Sequence, residues 1–385
     1  MDAAPITWSF ELNDSSGLVV SRPDHASLYI LNHSARFLWC SLQDGTPQNL
    51  LVERFAEHFG ILPHQAAADV ASTLDDWSQT LLAPATTVVT SPPAPVPSSG
   101  AALFSCDYSL CTTSFRLLAY DRDFVDEIRP RLAHLAIPAV PSPNHIFHVF
   151  RTPDDLLQVC RGEAFLAVEP DSAAIRIILL QEIARLGHHP ETQYLAVLHA
   201  AACASPSNGR AIILPAATNS GKSTLTAALL HSGLHFLSDD SAAIHHLSRQ
   251  VIPLPFALML REGSWPILTP SFPELTSTPT FYRNGDHVRF LPPFNPSGPA
   301  VAQCLLFSQY SPAAGDAHLQ PLSTFETLCS LQKSGFWVPH TCPAIAAFLS
   351  WVQSLPAYQL NYSNLHAAIP IIHQLLDSPL TLPSN

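Results

Sequence analysis

Lys222 is one of only two lysines in a chain of 385 residues that otherwise carries its positive charge on sixteen arginines. It sits in the run Ser220-Gly221-Lys222-Ser223-Thr224. A compact ammonium fits between phosphate groups where a planar guanidinium does not readily substitute. The flanking sequence supplies the rest of a phosphate cradle. An apolar strand, residues 211–214, enters a loop running from Ala216 through Ala217, Thr218 and Asn219, and a helix over residues 222–232 leaves it. The pattern is Gly-x-x-x-x-Gly-Lys-Ser/Thr, with Ala216 at the first glycine and Asn219 where a further glycine is common. Such a loop turns its amides inward, partly through left-handed conformations, which Asn tolerates better than most residues. Lys222 is then expected to reach the β- and γ-phosphates, and Ser223 to bind Mg²⁺ through its hydroxyl. The amides of residues 219–223 would hold phosphate oxygens at the helix N-terminus, and Thr224 would cap the helix or touch the α-phosphate. The implied ligand is Mg²⁺ with ATP or another nucleoside triphosphate.

Gly233 stops that helix, and a second short strand, residues 235–237, delivers Asp239 and Asp240. Only sixteen residues separate Lys222 from Asp239. One acid of the pair is expected to coordinate Mg²⁺ and the other to accept the proton of an attacking hydroxyl. Upstream, the apolar run Tyr194-Leu195-Ala196-Val197-Leu198 ends on His199.

These residues need a scaffold, and the composition is that of a globular chain, 47% hydrophobic and 12% charged. A net charge of −12 disfavours non-specific binding to nucleic acid or anionic membrane. No apolar run approaches the ~20 residues that cross a bilayer, and the start, Met1-Asp2-Ala3-Ala4-Pro5, lacks the basic-then-apolar form of a secretory signal. A cytoplasmic protein is expected. None of the eight cysteines forms a Cys-x-x-Cys pair, so they are expected to be reduced and mostly buried. The nineteen histidines include the doublets His188-His189 and His245-His246 but no His-Glu-x-x-His, so ordinary core or surface roles are expected.

The Pro/Ser/Thr-rich stretch 83–100 reads as an extended linker. Before it, residues 1–82 read as three strands followed by three helices, a small winged-helix-like α+β module. The strands span 7–12, 17–21 and 27–31. Helix one carries Ala35, Leu38, Trp39 and Leu42 on one face, and Thr46-Pro47 would cap helix two. Helix three opens near Pro63 and repeats Ala66, Val70, Leu74, Trp77 and Leu81. With three arginines and no lysine in 1–82, this module carries too little charge for DNA phosphates. Beyond the linker lie an N-terminal subdomain over 101–190, a nucleotide-binding core over 191–310 and a strand/helix region to 380.

Two resemblances follow from these residues. The order strand-strand-strand-helix-helix-helix, with Leu31-Asn32 closing the third strand, resembles the PqqD family of peptide chaperones, or RiPP recognition elements. That resemblance implies a leader peptide added as a strand beside Leu28–Asn32 and packed on the exposed face of Ala66–Trp77, a backbone-driven mode that leaves little trace in side chains. The second joins His199, the loop ending in Gly221-Lys222-Ser223, and Asp239-Asp240. It is similar to HPr kinase/phosphorylase and its relatives, with Ala200 standing where the family has glycine. It implies an α/β P-loop kinase domain in which Asp239 is the base, Asp240 lies near the metal and His199 orients or shares the proton. Pro253–Ser264 and His287–Pro293 resemble further segments of these kinases, within which Arg261 and Arg289 could neutralise phosphate charge. Together the resemblances imply a kinase acting on a serine hydroxyl of a recruited peptide or small protein. A small-molecule hydroxyl kinase and a catalytically weak nucleotide-binding scaffold remain alternatives. Phosphorolysis, the phosphoryl acceptor and homo-oligomerisation stay open.

Overall fold

A computed structural model of the chain describes residues 7–13, 17–83, 93–111, 113–188, 193–216, 220–283 and 285–378. It is a mixed α/β protein whose described strands form four sheets. Among the described residues no helix is long and apolar enough to cross a membrane.

The N-terminal module follows its hydrophobic pattern. Strands Trp8–Glu11, Gly17–Arg22 and His25–Asn32 form an antiparallel sheet, followed by helices His33–Gln43, Gln48–Phe59 and Pro63–Gln79. Leu18, Val20 and Leu31 point to one face and pack with Leu38, Trp39, Leu51, Val70 and Trp77, as a period of two in strands and about 3.6 in helices requires. Asn32 does more than close the third strand. Its side chain accepts from the Ala35 amide and caps the first helix. Thr46 does not cap the second helix, where Pro47 holds the cap position without a side-chain bond. The Thr46 hydroxyl instead accepts from Arg54 at 2.8 Å.

The opposite face of this sheet is not open. Leu12 and Val19 belong to the same apolar cluster as Leu328, Leu331, Phe348 and Leu349, with Trp8, Phe10, Leu28 and Ile30 packed on it. Gly17 marks the closest approach, since a Cβ there would lie 2.5 Å from the Leu31 carbonyl and 2.9 Å from Phe325. Gln332 donates to the Leu28 carbonyl at 3.2 Å, and His340 meets the Arg22 carbonyl at 2.6 Å. Part of the outer edge of His25–Asn32 is engaged by Gln332, and Ala66, Val70 and Trp77 form the buried face of their helix, whose other face, with Ala67, Ala71 and Asp75, stays exposed. Of the linker, residues 84–92 lie outside the described residues. Its later part is docked: Ala94 exchanges two hydrogen bonds with the Gln158 side chain, at 2.9 and 2.8 Å.

Next comes a six-stranded sheet built from strands between Phe104 and Glu169, flanked by helices Arg122–Leu132 and Ser172–His188. The ten-stranded sheet carries the chemistry-bearing segments. It extends beyond the expected core, because strands His318–Pro321, Phe336–Trp337 and Ala357–Tyr362 also belong to it. A hairpin-like sheet of Leu258–Arg261, Phe281–Arg283 and Asp286–Leu291 packs alongside. Cys160, Cys203 and Cys304 are buried as expected, whereas Cys40 and Cys111 are exposed. Burial pushes the Cys304 thiol up to about 12, so it behaves as a small hydrophobe. His245 accepts from the Leu247 and Ser248 amides in a local turn, and His188 meets the Pro253 carbonyl. His189 lies outside the described residues.

Candidate functional site

Sheet topology brings three distant pieces of sequence to one edge. Strand Ala200–Ala204 lies between Arg210–Pro215 and His235–Ser238 and is antiparallel to both. The two outer strands therefore run in the same direction and end at the same edge. Ala200 pairs with Pro215 and Ala202 with Ser238, so the beginning of the middle strand lies there too. His199, the residues after Pro215 and the pair Asp239-Asp240 must meet. Strands Arg210–Pro215 and Ala200–Ala204 are almost wholly buried, which fixes their register.

Ala216 is buried at the end of its strand. Ala217, Thr218 and Asn219, the expected loop residues, lie outside the described residues. The loop is described again from Ser220, and Gly221 has φ 86° at the N-cap of helix Lys222–His231. A side chain at Gly221 would be opposed twice, by the left-handed backbone and by Tyr362 Oη, 3.3 Å from where its Cβ would sit. Gly233, at φ 104°, ends the helix as expected; its amide bonds to Leu230.

The side chains of the motif converge. Lys222 is buried, and its Nζ donates to the Asp239 carbonyl and to Asp240 Oδ1, the latter at 3.2 Å. Ser223 donates to Asp239 Oδ2 at 3.0 Å. Asp239 is 5% exposed, and its Oδ1 accepts no hydrogen bond among the described residues. Asp240 is more open, with its side chain 33% exposed, and its Oδ2 takes a 3.0 Å ion pair from Arg131. Ser220, Ser223, Thr224, Asp240 and His199 all line one cleft of about 930 Å³. The His199 ring meets the Ser334 carbonyl through Nδ1 at 3.0 Å, and its amide donates to the Gly335 carbonyl. A carbonyl only accepts, so the proton sits on Nδ1 and Nε2 is left as an acceptor.

The two carboxylates differ in acidity because their surroundings differ. Burial pushes Asp239 above the ordinary carboxylate range, opposed by Lys222 and reinforced by Asp240. Asp240 also suffers from burial, yet the combined fields of Lys222, Arg131, Arg176 and His199 outweigh it and hold Asp240 far below that range. Lys222 is raised, its burial more than offset by the two acids. His199 is pushed below the usual histidine range by burial and then by Lys222, so the ring is neutral at pH 7.

A paired stability measurement follows from these signs. Asp239, raised in the folded state, contributes stability below its unfolded pKa of ~3.9 and loses it as pH rises through the folded value. Asp240, depressed, contributes above ~3.9 and loses that as pH falls toward its folded value. Chemical denaturation of the nucleotide-free protein at pH 7 is therefore expected to find Asp239→Asn more stable than wild type and Asp240→Asn less stable. The Asp239 difference should shrink as pH falls through its folded value toward ~3.9, and the Asp240 difference only as pH falls below ~3.9. Equal destabilisation by the two substitutions would contradict the assigned environments.

Among the described residues no cluster of three His, Cys, Asp or Glu is placed to hold a metal alone. Two carboxylates beside a hydroxyl, with Asp239 Oδ1 buried without a hydrogen bond and only Lys222 Nζ near it at 3.7 Å, fit Mg²⁺ instead, which takes few protein ligands and completes its shell with phosphate and water. Of the two arginines expected to meet phosphate, Arg261 lines the cleft and is paired with Asp286 at 2.6 Å. Arg289 is corrected to a structural role: it stacks 4.0 Å over Trp265 and donates to the Leu275 carbonyl. The arginines that do surround the site, Arg131, Arg176 and Arg283, were not found from sequence. One signal was available: Arg176 is a lone charge within Ile175-Arg176-Ile177-Ile178, an apolar stretch that tolerates a charge only if it has work or a partner.

No family model matches the chain, and no curated protein matches it.

Proposed function

We propose that this chain is a Mg²⁺-dependent kinase with a P-loop fold of the HPr kinase type, transferring the γ-phosphate of ATP to a hydroxyl of a peptide or small protein. The observation that carries the reading is that Lys222 and Ser223, which line the cleft together with Asp240, bond directly to Asp240 and to the buried Asp239 beside it. Lys222 and the amides at the start of Lys222–His231 would hold the phosphates. Ser223 and Asp240 would hold the metal, which when bound neutralises charge on the β- and γ-phosphate oxygens. The acceptor oxygen attacks the γ-phosphorus, the bond from that phosphorus to the β–γ bridging oxygen breaks, and ADP leaves. Asp239, the acid whose affinity for a proton is raised, takes the proton of the acceptor. Carboxylates whose environments push their acidities apart divide such roles in this way. His199, neutral and with Nε2 free to accept, would orient the acceptor hydroxyl.

Recruitment of a peptide rests on the N-terminal module. A strand added at Leu28–Asn32 would have to displace Gln332 from the Leu28 carbonyl, and Gln332 lies two residues before the carbonyl that holds His199. With γ-labelled ATP and Mg²⁺, serine-containing peptides are expected to take up label with matching ADP formation. Tight ATP binding with no label on any hydroxyl acceptor would favour the scaffold reading, and label on small hydroxyl compounds alone the small-molecule kinase.

A further inference from the structure

The cleft has a second wall that phosphate binding at the loop does not use. Arg131 comes from helix Arg122–Leu132, Arg176 from helix Ser172–His188, and Arg283 from strand Phe281–Arg283. All three line the cleft that holds Lys222 and Asp240. Arg131 has a side chain only 5% exposed, lies 5.4 Å from the centre of the Phe290 ring, and its Nε has no hydrogen-bond partner among the described residues. The Nε of Arg283 is likewise buried without one, and its Nη2 donates to a neutral backbone carbonyl, that of Asp126. Arg176 is paired with Glu127. The three charges disfavour one another, Arg131 acting on Arg283 and Arg283 on Arg176. Guanidinium groups gathered in a low-dielectric wall with donors left over are costly unless an anion joins them.

The position of this wall relative to the loop is set by Asp240. Lys222 grips Asp240 by Oδ1 and Arg131 grips it by Oδ2. The carboxylate therefore stands between the ammonium of the loop and the arginine cluster. An oxyanion held by the arginines lies on the acceptor's side of the acid pair.

The geometry points to a second anion subsite at Arg131, Arg176 and Arg283, which binds a carboxylate or phosphate carried by the acceptor near its reacting hydroxyl. This rests on the kinase reading and narrows its substrate class to anionic acceptors. Bidentate capture of an oxyanion by arginine gives orientation as well as affinity, and orientation of the hydroxyl is what an in-line transfer needs.

Inorganic phosphate is the probe, titrated calorimetrically into the full chain with and without saturating Mg²⁺ and a non-hydrolysable ATP analogue. Wild type is expected to bind phosphate with the analogue already bound. Arg283→Gln should weaken phosphate by ~10-fold or more and leave analogue binding unchanged. Lys222→Ala should do the reverse. Because Arg176→Gln strands Glu127, the double substitution Arg176→Gln with Glu127→Gln serves as a second variant and is expected to behave like Arg283→Gln. Displacement of phosphate by a serine peptide with flanking aspartates would place the anion on a peptide acceptor, and displacement only by small phosphate monoesters on a metabolite. Phosphate that competes with the analogue, is lost in Lys222→Ala and is untouched by the arginine variants would overturn the subsite, as would no phosphate binding at all. If the analogue fails to bind while phosphate still depends on Arg283, the kinase reading falls and the anion site stands.

Discussion

Lys222→Ala is expected to remove nucleotide binding while leaving the fold in place. Lys222 is buried at the start of its helix and is held by the Asp239 carbonyl and the Asp240 carboxylate. In the nucleotide-free protein it lies against the acid pair, and in the proposed nucleotide complex it would be the point charge between phosphates. Truncating one partner of a buried, hydrogen-bonded charge pair costs about 2–5 kcal/mol, equivalent to a loss of ~30-fold to several thousandfold in affinity. The same change leaves Asp239 and Asp240 without their nearest cation, so the free protein should also melt at a lower temperature. Thermal melts with and without Mg²⁺-ATP separate the two effects. The variant should start lower and show no nucleotide-dependent rise, whereas wild type should rise. A variant that still rises as much as wild type would mean that the nucleotide, if bound, sits elsewhere.

Asp239→Asn is the second large effect, and its signature is a divergence. Asn keeps an oxygen for the Ser223 hydroxyl and removes a charge that burial disfavours, so the folded state is not harmed. It cannot accept the acceptor's proton. Loss of a positioned general base typically costs ~10²–10⁴-fold in rate, and turnover should fall by that much while ATP affinity stays near that of wild type. Higher stability with lower turnover is the expected trade at a functional acid. The comparison is a steady-state rate of ADP formation beside a nucleotide titration on the same preparation. Undiminished turnover would remove Asp239 from the role of base.

What the sequence could reveal divides along physical lines. Elements whose signal is local were legible: the strand into the loop, the helix from Lys222, the stop at Gly233, the short strand to Asp239. Each rests on periodicity, on turn chemistry or on a motif a few residues long. So were the N-terminal strands and helices, because alternation and the spacing Ala66, Val70, Leu74, Trp77, Leu81 record which face is buried. Features made by distant pairing were not. The Arg131–Asp240 ion pair joins positions 109 apart, and the contact from Gln332 to Leu28 spans 304, separations at which one chain carries no readable pattern. The same limit hides the pairing of Phe336–Trp337, in the C-terminal strand/helix region, with the strand Tyr194–Leu198 that leads into His199. Arg289 misled because a guanidinium near a motif has the same composition whether it faces phosphate or stacks on Trp265.

The most direct test of the central claim is calorimetric titration of ATP with Mg²⁺ into the full chain, set beside the same titration into Lys222→Ala. The account predicts saturable binding by wild type at one nucleotide per chain, dependent on Mg²⁺ and absent in the variant. No heat of binding from wild type, or equal binding by both proteins, would contradict a phosphate-binding loop at Gly221-Lys222-Ser223.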